Sequence, residues 1–472
     1  MTSSSHTIRD NADVFIIADQ TAPDSAFREA IKTWNFDLSA NHIFWFDVDD
    51  YPQSLLRLSG QLVNARFSRV IIAGFLQKKS VLRQICRTIW EKSSPEHISL
   101  LKIDEETPEN SKLSFLQLSD LVGRSPVRPD ITGISEAITG KRVLVTGAGG
   151  SFGKVMVKKL LDYHPSRIIA LDIDETELFL LEQEWHPGSN QVDTFVGDIT
   201  DKTRMEQLFK SGEIDLVIHT AAYKHVPVME RHPLEAARVN VLGTALLADL
   251  ADRYGVESML TLSTDKAVQP VNVMGYTKKI TELVSNWYNS LSECRFSVLR
   301  IGNLLGSRGS VVPLFTEQIR NKKPVTITDA KTERFFIPIP DSVNATLHAA
   351  AISDGGEVFL VDMGEPVRIT ELAELMIRYN GYKPGLDIPM VYSGLREGEK
   401  LSEQLAEEEE IKEGTPFDFL HIITSPDTVK NIDQQPLLQR MSELIRQQDE
   451  SGIRELLLSV TRTPDITPAA DR

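Results

Sequence analysis

The sequence predicts an α/β protein with two successive domains, each a parallel sheet with helices between its strands, followed by a smaller C-terminal lobe. Three observations point there. Short apolar runs alternate with helix-like stretches between Asp13 and Asp104. The same alternation starts afresh at Lys141. A glycine-rich turn then joins the first strand of that second series to its first helix.

In the first series, residues 14–18, 43–46, 70–73 and 98–101 read as strands, and residues 25–34, 52–65 and 79–92 as the helices between them. The first strand runs into Ala18-Asp19-Gln20-Thr21, with no glycine turn. This Rossmann-like domain, residues 1–120, is therefore expected to bind no dinucleotide. A regulatory, oligomeric or plainly structural role stays open. Residues 121–140, with Pro126 and Pro129, read as a linker.

In the second series strands are expected at 142–146, 167–172, 192–196, 216–220, 258–263 and 297–301, giving a Rossmann domain over 141–302. Residues 303–460 are mixed and rich in Pro and Gly loops, which predicts a smaller substrate lobe. It ends in one or two amphipathic helices over 437–460, ahead of a frayed tail at 461–472. The acidic run 407–410 reads as a solvated face.

Composition narrows the function. The chain has 472 residues, 41% hydrophobic and 25% charged, the balance of a globular protein. Its net charge of -16 argues against a general nucleic-acid binder. An anionic ligand would have to be held locally, by a few Arg or Lys and by backbone N–H groups. Cys86 and Cys294 lie far apart and outside any Cys/His cluster, so neither a disulfide framework nor a metal site is expected. The polar start lacks the features of a signal peptide, and no apolar run approaches the roughly 20 residues that span a membrane. A soluble, cytoplasmic chain without membrane insertion is expected.

The glycine turn reads as a dinucleotide site. Strand 142–146 leads into Gly147-Ala-Gly149-Gly150-Ser151-Phe152-Gly153 and then into a helix. Such a turn must be tight, must let the backbone approach a pyrophosphate, and must aim a helix N-terminus at it. Asp172 ends the next strand, placed to bond a ribose 2′-hydroxyl and repel a 2′-phosphate, which favours NAD over NADP. Asp198 and Ile199 follow the third strand, on the adenine side. Ala221, Ala222 and Tyr223 follow the fourth and face the nicotinamide.

Thr264, Asp265 and Lys266 stand at a strand end, where open α/β sheets place their ligands, and Lys278 opens a helix twelve residues on. Short-chain dehydrogenases carry a catalytic Tyr four residues before that Lys. Here the position is Met274, whose thioether is no proton acceptor. Tyr276 stands only two residues before Lys278, on a different helix face. Lys278 can still bind the nicotinamide ribose. Read without further context, Thr-Asp-Lys is a turn with a solvated ion pair.

Longer strings carry a specific resemblance. They are His219-Thr-Ala-Ala-Tyr-Lys-His-Val-Pro-Val-Met-Glu230, Ser263-Thr-Asp-Lys-Ala-Val-Gln-Pro-Val-Asn-Val-Met-Gly275, Arg300-Ile-Gly-Asn-Leu-Leu-Gly-Ser-Arg-Gly-Ser310 and Gly394-Leu-Arg-Glu-Gly-Glu-Lys400. With Leu121-Val-Gly-Arg-Ser-Pro126, they resemble the polysaccharide-biosynthesis family of UDP-N-acetylglucosamine 4,6-dehydratases, extended short-chain dehydrogenases. Many relatives carry N-terminal membrane helices, which this sequence lacks. Two further departures are Glu397 in place of Pro and Glu333 in place of Thr.

The resemblance implies tightly bound NAD, a UDP-sugar substrate and a homo-oligomer. It implies oxidation at the sugar C4, loss of water across C5–C6, and return of the hydride to C6. Asp265 would be the acid for the C6 hydroxyl, Lys266 the base for C5, and Thr264 the contact to the C4 hydroxyl. Lys266 must then be neutral when it acts, a state favoured by burial and by the positive charges of Lys278 and NAD. Met274 accompanies members thought to retain configuration at C5. Lys224, His225, Asn303, Arg308, Val312, Arg334, Arg396 and Glu399 would line the substrate, with Arg forks on the diphosphate. Two other readings stay open. A UDP-hexose 4-epimerase shares fold and cofactor but needs no acid/base pair for elimination. A non-catalytic sugar-nucleotide or NAD sensor would account for the missing Tyr.

Overall fold

The computed structural model describes residues 14–20, 27, 29–30, 43–63, 67, 69–74, 79–93, 95, 97–103, 111–122, 126–127, 129–184, 191–424 and 433–461. The chain forms two compact units. One comprises Met1–Ser125, Gln318–Val325 and Glu371–Met390; the other comprises Pro126–Glu317, Thr326–Thr370 and Val391–Arg472.

The first unit holds a five-stranded sheet in the order Ile43–Phe46, Val14–Asp19, Arg69–Ala73, His97–Lys102, Lys112–Phe115. The first four strands are parallel, as the alternation of strand and helix requires. The fifth is antiparallel and was not expected. All six residues of Val14–Asp19 are buried, the pattern of a strand covered on both faces. Helix Lys79–Lys92 buries Leu82, Ile85, Cys86 and Ile89, a 3.6-residue stripe. Arg83 on this helix donates to Glu371 at 2.9 Å, so residues 371–390 belong with this unit rather than with a continuous 303–460 lobe. The helix expected at 25–34 falls largely outside the described residues, as do Thr21 of the turn without glycine and the tail 462–472.

The second unit is built on a nine-stranded sheet. Its order is Ile411–Gly414, Leu420–Thr424, Val358–Val361, Arg295–Ile301, Ser258–Thr264, Leu216–His219, Arg142–Thr146, Arg167–Asp172, Val192–Val196. The strands from Val358–Val361 to Val192–Val196 are parallel, and the two beyond are antiparallel. Strand order reverses between Arg142–Thr146 and Leu216–His219, which opens a crevice at their C-terminal ends. Alternation along Arg142–Thr146 feeds both faces: Val143 and Val145 pack with helix Ser151–Leu161, Leu144 with the helices of the other face.

Two expected boundaries are corrected. The predicted linker 121–140 contains helix Ile131–Ile138, whose Ile134 and Ile138 pack into the core of the sheet's first face. Asp130 caps it by accepting from the Gly133 N–H at 3.4 Å. The 303–460 lobe is not separate either. Its buried strand Val358–Val361 extends the parallel sheet, because an apolar run of that length needs cover on both faces. Helix Glu450–Thr461 packs against helix Val273–Leu291, and helix Gln435–Gln447 against the turn Ala237–Gly243, with Met441, Leu444, Ile453 and Leu457 in one apolar cluster. Among the described residues no helix is long and apolar enough to cross a membrane.

Candidate active site

The glycine turn has the close backbone contacts its sequence requires. Gly147 has φ +70°, in the left-handed region. A Cβ at Gly153 would lie 2.1 Å from the Gly147 carbonyl oxygen, so helix Ser151–Leu161 can approach its strand only with glycine there. Asp172 accepts from the N–H of Gly149 at 2.8 Å and of Asp174 at 3.0 Å, each through a different oxygen. Each oxygen keeps a second lone pair for a ribose hydroxyl. The cradle and the acidic strand end therefore fit a dinucleotide. Phe152 and Ile199 contribute less than expected: both side chains sit in the apolar core, leaving only their backbone to a ligand. Asp198 is held below the usual carboxylate range. Burial pushes it up, but the N–H and hydroxyl of Thr200 and the Arg238 guanidinium outweigh that.

Beside the helix N-terminus, several expected phosphate and sugar residues meet. The Arg308 N–H donates to Ser151 Oγ at 3.0 Å, and its guanidinium reaches Glu177 at 2.5 Å. Lys224 Nζ donates to the Arg308 carbonyl at 3.0 Å, and the ring of His225 lies against Gly309. The Lys224 pKa is lowered by burial and by Arg308, so two cations share a space that a diphosphate would relieve. His225 is lowered too, by burial and by Lys224. Val312 opens helix Val311–Arg320 just beyond.

A buried polar chain fixes residues 220–223. Thr146 Oγ1 accepts from the N–H of Thr220 at 3.1 Å and of Ala221 at 3.2 Å, and lies 2.7 Å from His219 Nδ1. His219 Nε2 lies 2.8 Å from Thr244 Oγ1, which donates to the Asn240 carbonyl at 2.6 Å. Since Thr244 spends its hydrogen on Asn240, His219 must donate from Nε2 and accept at Nδ1. Burial, with the charge of Lys278, pushes His219 down to about 3, consistent with this neutral form. The Asn240 side chain accepts from the Tyr223 N–H at 2.8 Å and donates to its carbonyl at 3.0 Å, from within the π-helical turn Ala237–Gly243. His219 and Asn240 were missed as positioning groups. A π-helical turn leaves no clear periodic signal, and a buried His reads as core.

The candidate reaction centre lies at the end of strand Ser258–Thr264. Asp265 is fully buried. Its Oδ1 accepts from Thr264 Oγ1 at 2.8 Å and from Lys266 Nζ at 2.9 Å, while Oδ2 is buried with no protein partner. Lys266 Nζ also reaches Asn303 Oδ1 at 3.3 Å and Glu403 Oε1 at 3.5 Å. Arg334 closes the group, its Nε 3.9 Å from Glu403 and its Nη atoms donating to the carbonyls of Glu333, Lys400 and Leu401. Lys278 Nζ donates to the Leu262 carbonyl at 2.6 Å, and burial pushes it down to about 8 against the pull of Glu282. Thr264, Asp265, Lys266, Asn303 and Arg334 are thus brought together. Arg396 and Glu399 are not tied to them: the Arg396 N–H donates to Glu399 at 3.3 Å within an exposed turn.

Three findings differ from expectation. Met274, at the position where short-chain dehydrogenases carry the catalytic Tyr, is 3% exposed and packed in the apolar cluster around helix Val273–Leu291. The acidic run 407–410 is only partly a solvated face. Glu410 pairs with Arg300 at 2.7 Å and Glu407 with Lys279 at 2.7 Å, cations far off in sequence. Glu403, which touches Lys266, was not singled out; one Glu in a polar stretch gives no sequence signal.

Known proteins place this geometry. The probable polysaccharide biosynthesis protein EpsC of Bacillus subtilis is 37% identical over 358 residues, 75% of this chain and 59% of EpsC. The chain thus spans about three fifths of the length of that relative. A Campylobacter jejuni protein named UDP-N-acetylglucosamine 4,6-dehydratase (inverting) is 36% identical over 301 residues, 63% of this chain and 86% of that one. The solved structure of Pen from Bacillus thuringiensis matches with a TM-score of 0.58 at 31% identity, over 61% of this chain and 90% of Pen. The shared architecture is the Rossmann fold of extended short-chain dehydrogenases. Residues 143–425, more than half of the sequence and including both the glycine turn and Asp265-Lys266, match the model described as polysaccharide biosynthesis protein, and the chain belongs to that family.

Proposed function

We propose that the chain is an NAD-dependent nucleotide-sugar dehydratase. Its substrate is a UDP-N-acetylhexosamine, with UDP-N-acetylglucosamine favoured, and its product the 4-keto-6-deoxy sugar for polysaccharide synthesis. The observation that carries this reading is the Asp265–Lys266 pair: a fully buried acid with an amine 2.9 Å away, at the ligand end of the central strand. The names of the relatives support the same direction.

Bound NAD would supply the hydride acceptor at the sugar C4 and the hydride donor at C6. The glycine turn, Asp172 and Lys278 would hold it. The remaining work falls to side chains. Thr264 touches the C4 hydroxyl. Asp265 carries a proton on Oδ2, the oxygen without a protein partner, and delivers it to the departing C6 hydroxyl. Lys266 removes the C5 proton, made acidic by the neighbouring ketone. Arg308 and Lys224 take the diphosphate.

Incubation with UDP-N-acetylglucosamine and NAD in deuterated water, followed by NMR of the product, tests this. The expected product is a 4-keto-6-deoxy sugar labelled at C5. An unlabelled C4 epimer as sole product would instead establish an epimerase.

A further inference from the structure

Glu403 is buried, with its side chain 4% exposed, yet its pairing is poor. Its nearest cation, Lys266, is 3.5 Å from Oε1; the next, Arg334, is 3.9 Å away; and Oε2 is buried with no partner. A buried carboxylate held this way costs stability rather than adding it. The surrounding segment holds it there nonetheless. Lys400 Nζ donates to the carbonyls of Val268 at 3.0 Å and Gln269 at 2.7 Å, directly after the Asp265–Ala267 turn. Asn272 Nδ2 donates to the Gly398 carbonyl at 2.8 Å, and the Glu333 N–H to the Leu401 carbonyl at 2.9 Å. Residues 398–403 thus form a strap pinned across the turn that carries Lys266.

We propose that Glu403 is a positioning residue that acts through Lys266, taking the proton Lys266 must shed before it can remove the C5 proton. The inference rests on the dehydratase reading above. The charged groups facing Lys266 are Asp265 on its own turn, Glu403 and Lys400 on the strap, and Arg334 on the strand Glu333–Arg334; Lys278 turns instead to the Leu262 carbonyl. The Lys266 amine stands between two carboxyl groups, 2.9 Å from Asp265 and 3.5 Å from Glu403, and as an ammonium it is no base. A proton moved from Nζ to Glu403 leaves a neutral amine. That amine then takes the C5 proton as Asp265 protonates the leaving hydroxyl. As the hydride returns to C6, Lys266 gives a proton to C5 and is reprotonated by Glu403; the proton Asp265 takes back from solvent matches the one the C4 hydroxyl released on oxidation, so every group returns to its starting state.

The test is Glu403→Gln in the full-length chain with NAD bound. Two quantities are read: the pH dependence of kcat/KM, and the pH midpoint at which Lys266 is acylated by an amine reagent, from mass spectrometry of its peptide. Removing the carboxylate should move the acylation midpoint down by about one to three pH units. It should lower kcat by roughly 10²-fold with KM little changed. Glu403→Asp should restore part of both, and it serves as the test protein if the Gln variant does not fold. Ser402→Ala loosens the strap by removing its 2.7 Å bond to Glu333, and it should leave the midpoint in place. An unmoved midpoint in folded Glu403→Gln overturns the proposal. The midpoint reads Lys266 and Glu403 alone. If it moves while the natural chain makes no 4-keto-6-deoxy product, the coupling stands and the dehydratase reading falls.

Discussion

Arg300 and Glu282 face each other in a two-pronged ion pair near the strand end that leads to Asp265, Nε to Oε1 at 2.9 Å and Nη2 to Oε2 at 2.8 Å. The same guanidinium grips Glu410 at 2.7 and 2.9 Å, and Glu282 accepts from Ser263 Oγ at 2.6 Å. Ser263 lies two residues before Asp265, so the network fixes the strand end that carries the acid. Burial raises the Glu282 carboxyl, but Arg300 and then Lys279 and Ser263 hold it below its ordinary range. Arg300→Met strands two buried carboxylates. It should cost about 3–5 kcal/mol of unfolding free energy, measured by urea denaturation.

Met274→Tyr is not a neutral change. A polar, bulkier ring entering the cluster of Val273, Ile280 and Met441 should cost about 1–3 kcal/mol by overpacking, visible as a lower urea midpoint. It should not create a working base, because the position faces that cluster.

Stability should fall on acidification through His219. Its native pKa is about 3 against 6.5 when free. Between those values the unfolded chain binds a proton that the native fold refuses. The contribution is complete above pH 6.5 and is lost at about 1.4 kcal/mol per unit as pH falls toward 3. His219→Gln keeps one donor and one acceptor but does not titrate. Denaturation of both proteins at pH 7 and pH 5 should show a steeper acid loss in the natural chain.

Gly153→Ala drives a methyl into the Gly147 carbonyl, a backbone contact that cannot turn aside. The turn must open, and the cofactor should no longer copurify. Nucleotide released on denaturation gives the measure.

Much of the sheet and the dinucleotide turn was legible because their signals are local: strand 142–146, its glycines and Asp172 follow one another along the chain. Asp265 and Lys266 were legible for the same reason, as neighbours at a strand end. Glu403, Asn240 and the Arg300–Glu282–Glu410 network were not. Each matters through partners far off in sequence, and nothing near Glu403 distinguishes it from a surface acid. The burial of Met274 was not legible for a related reason: its motif position locates it on a helix but does not reveal that helix Glu450–Thr461 packs against that helix.

Asp265→Asn separates the two halves of the proposed chemistry, because Thr264 and Lys278 remain while the acid is gone. Mixed rapidly with UDP-N-acetylglucosamine, the NAD-loaded variant should build up the absorbance of reduced nicotinamide and release no 4-keto-6-deoxy sugar. Turnover to that sugar at the rate of the natural chain would contradict the assignment of Asp265 and Lys266 to the elimination.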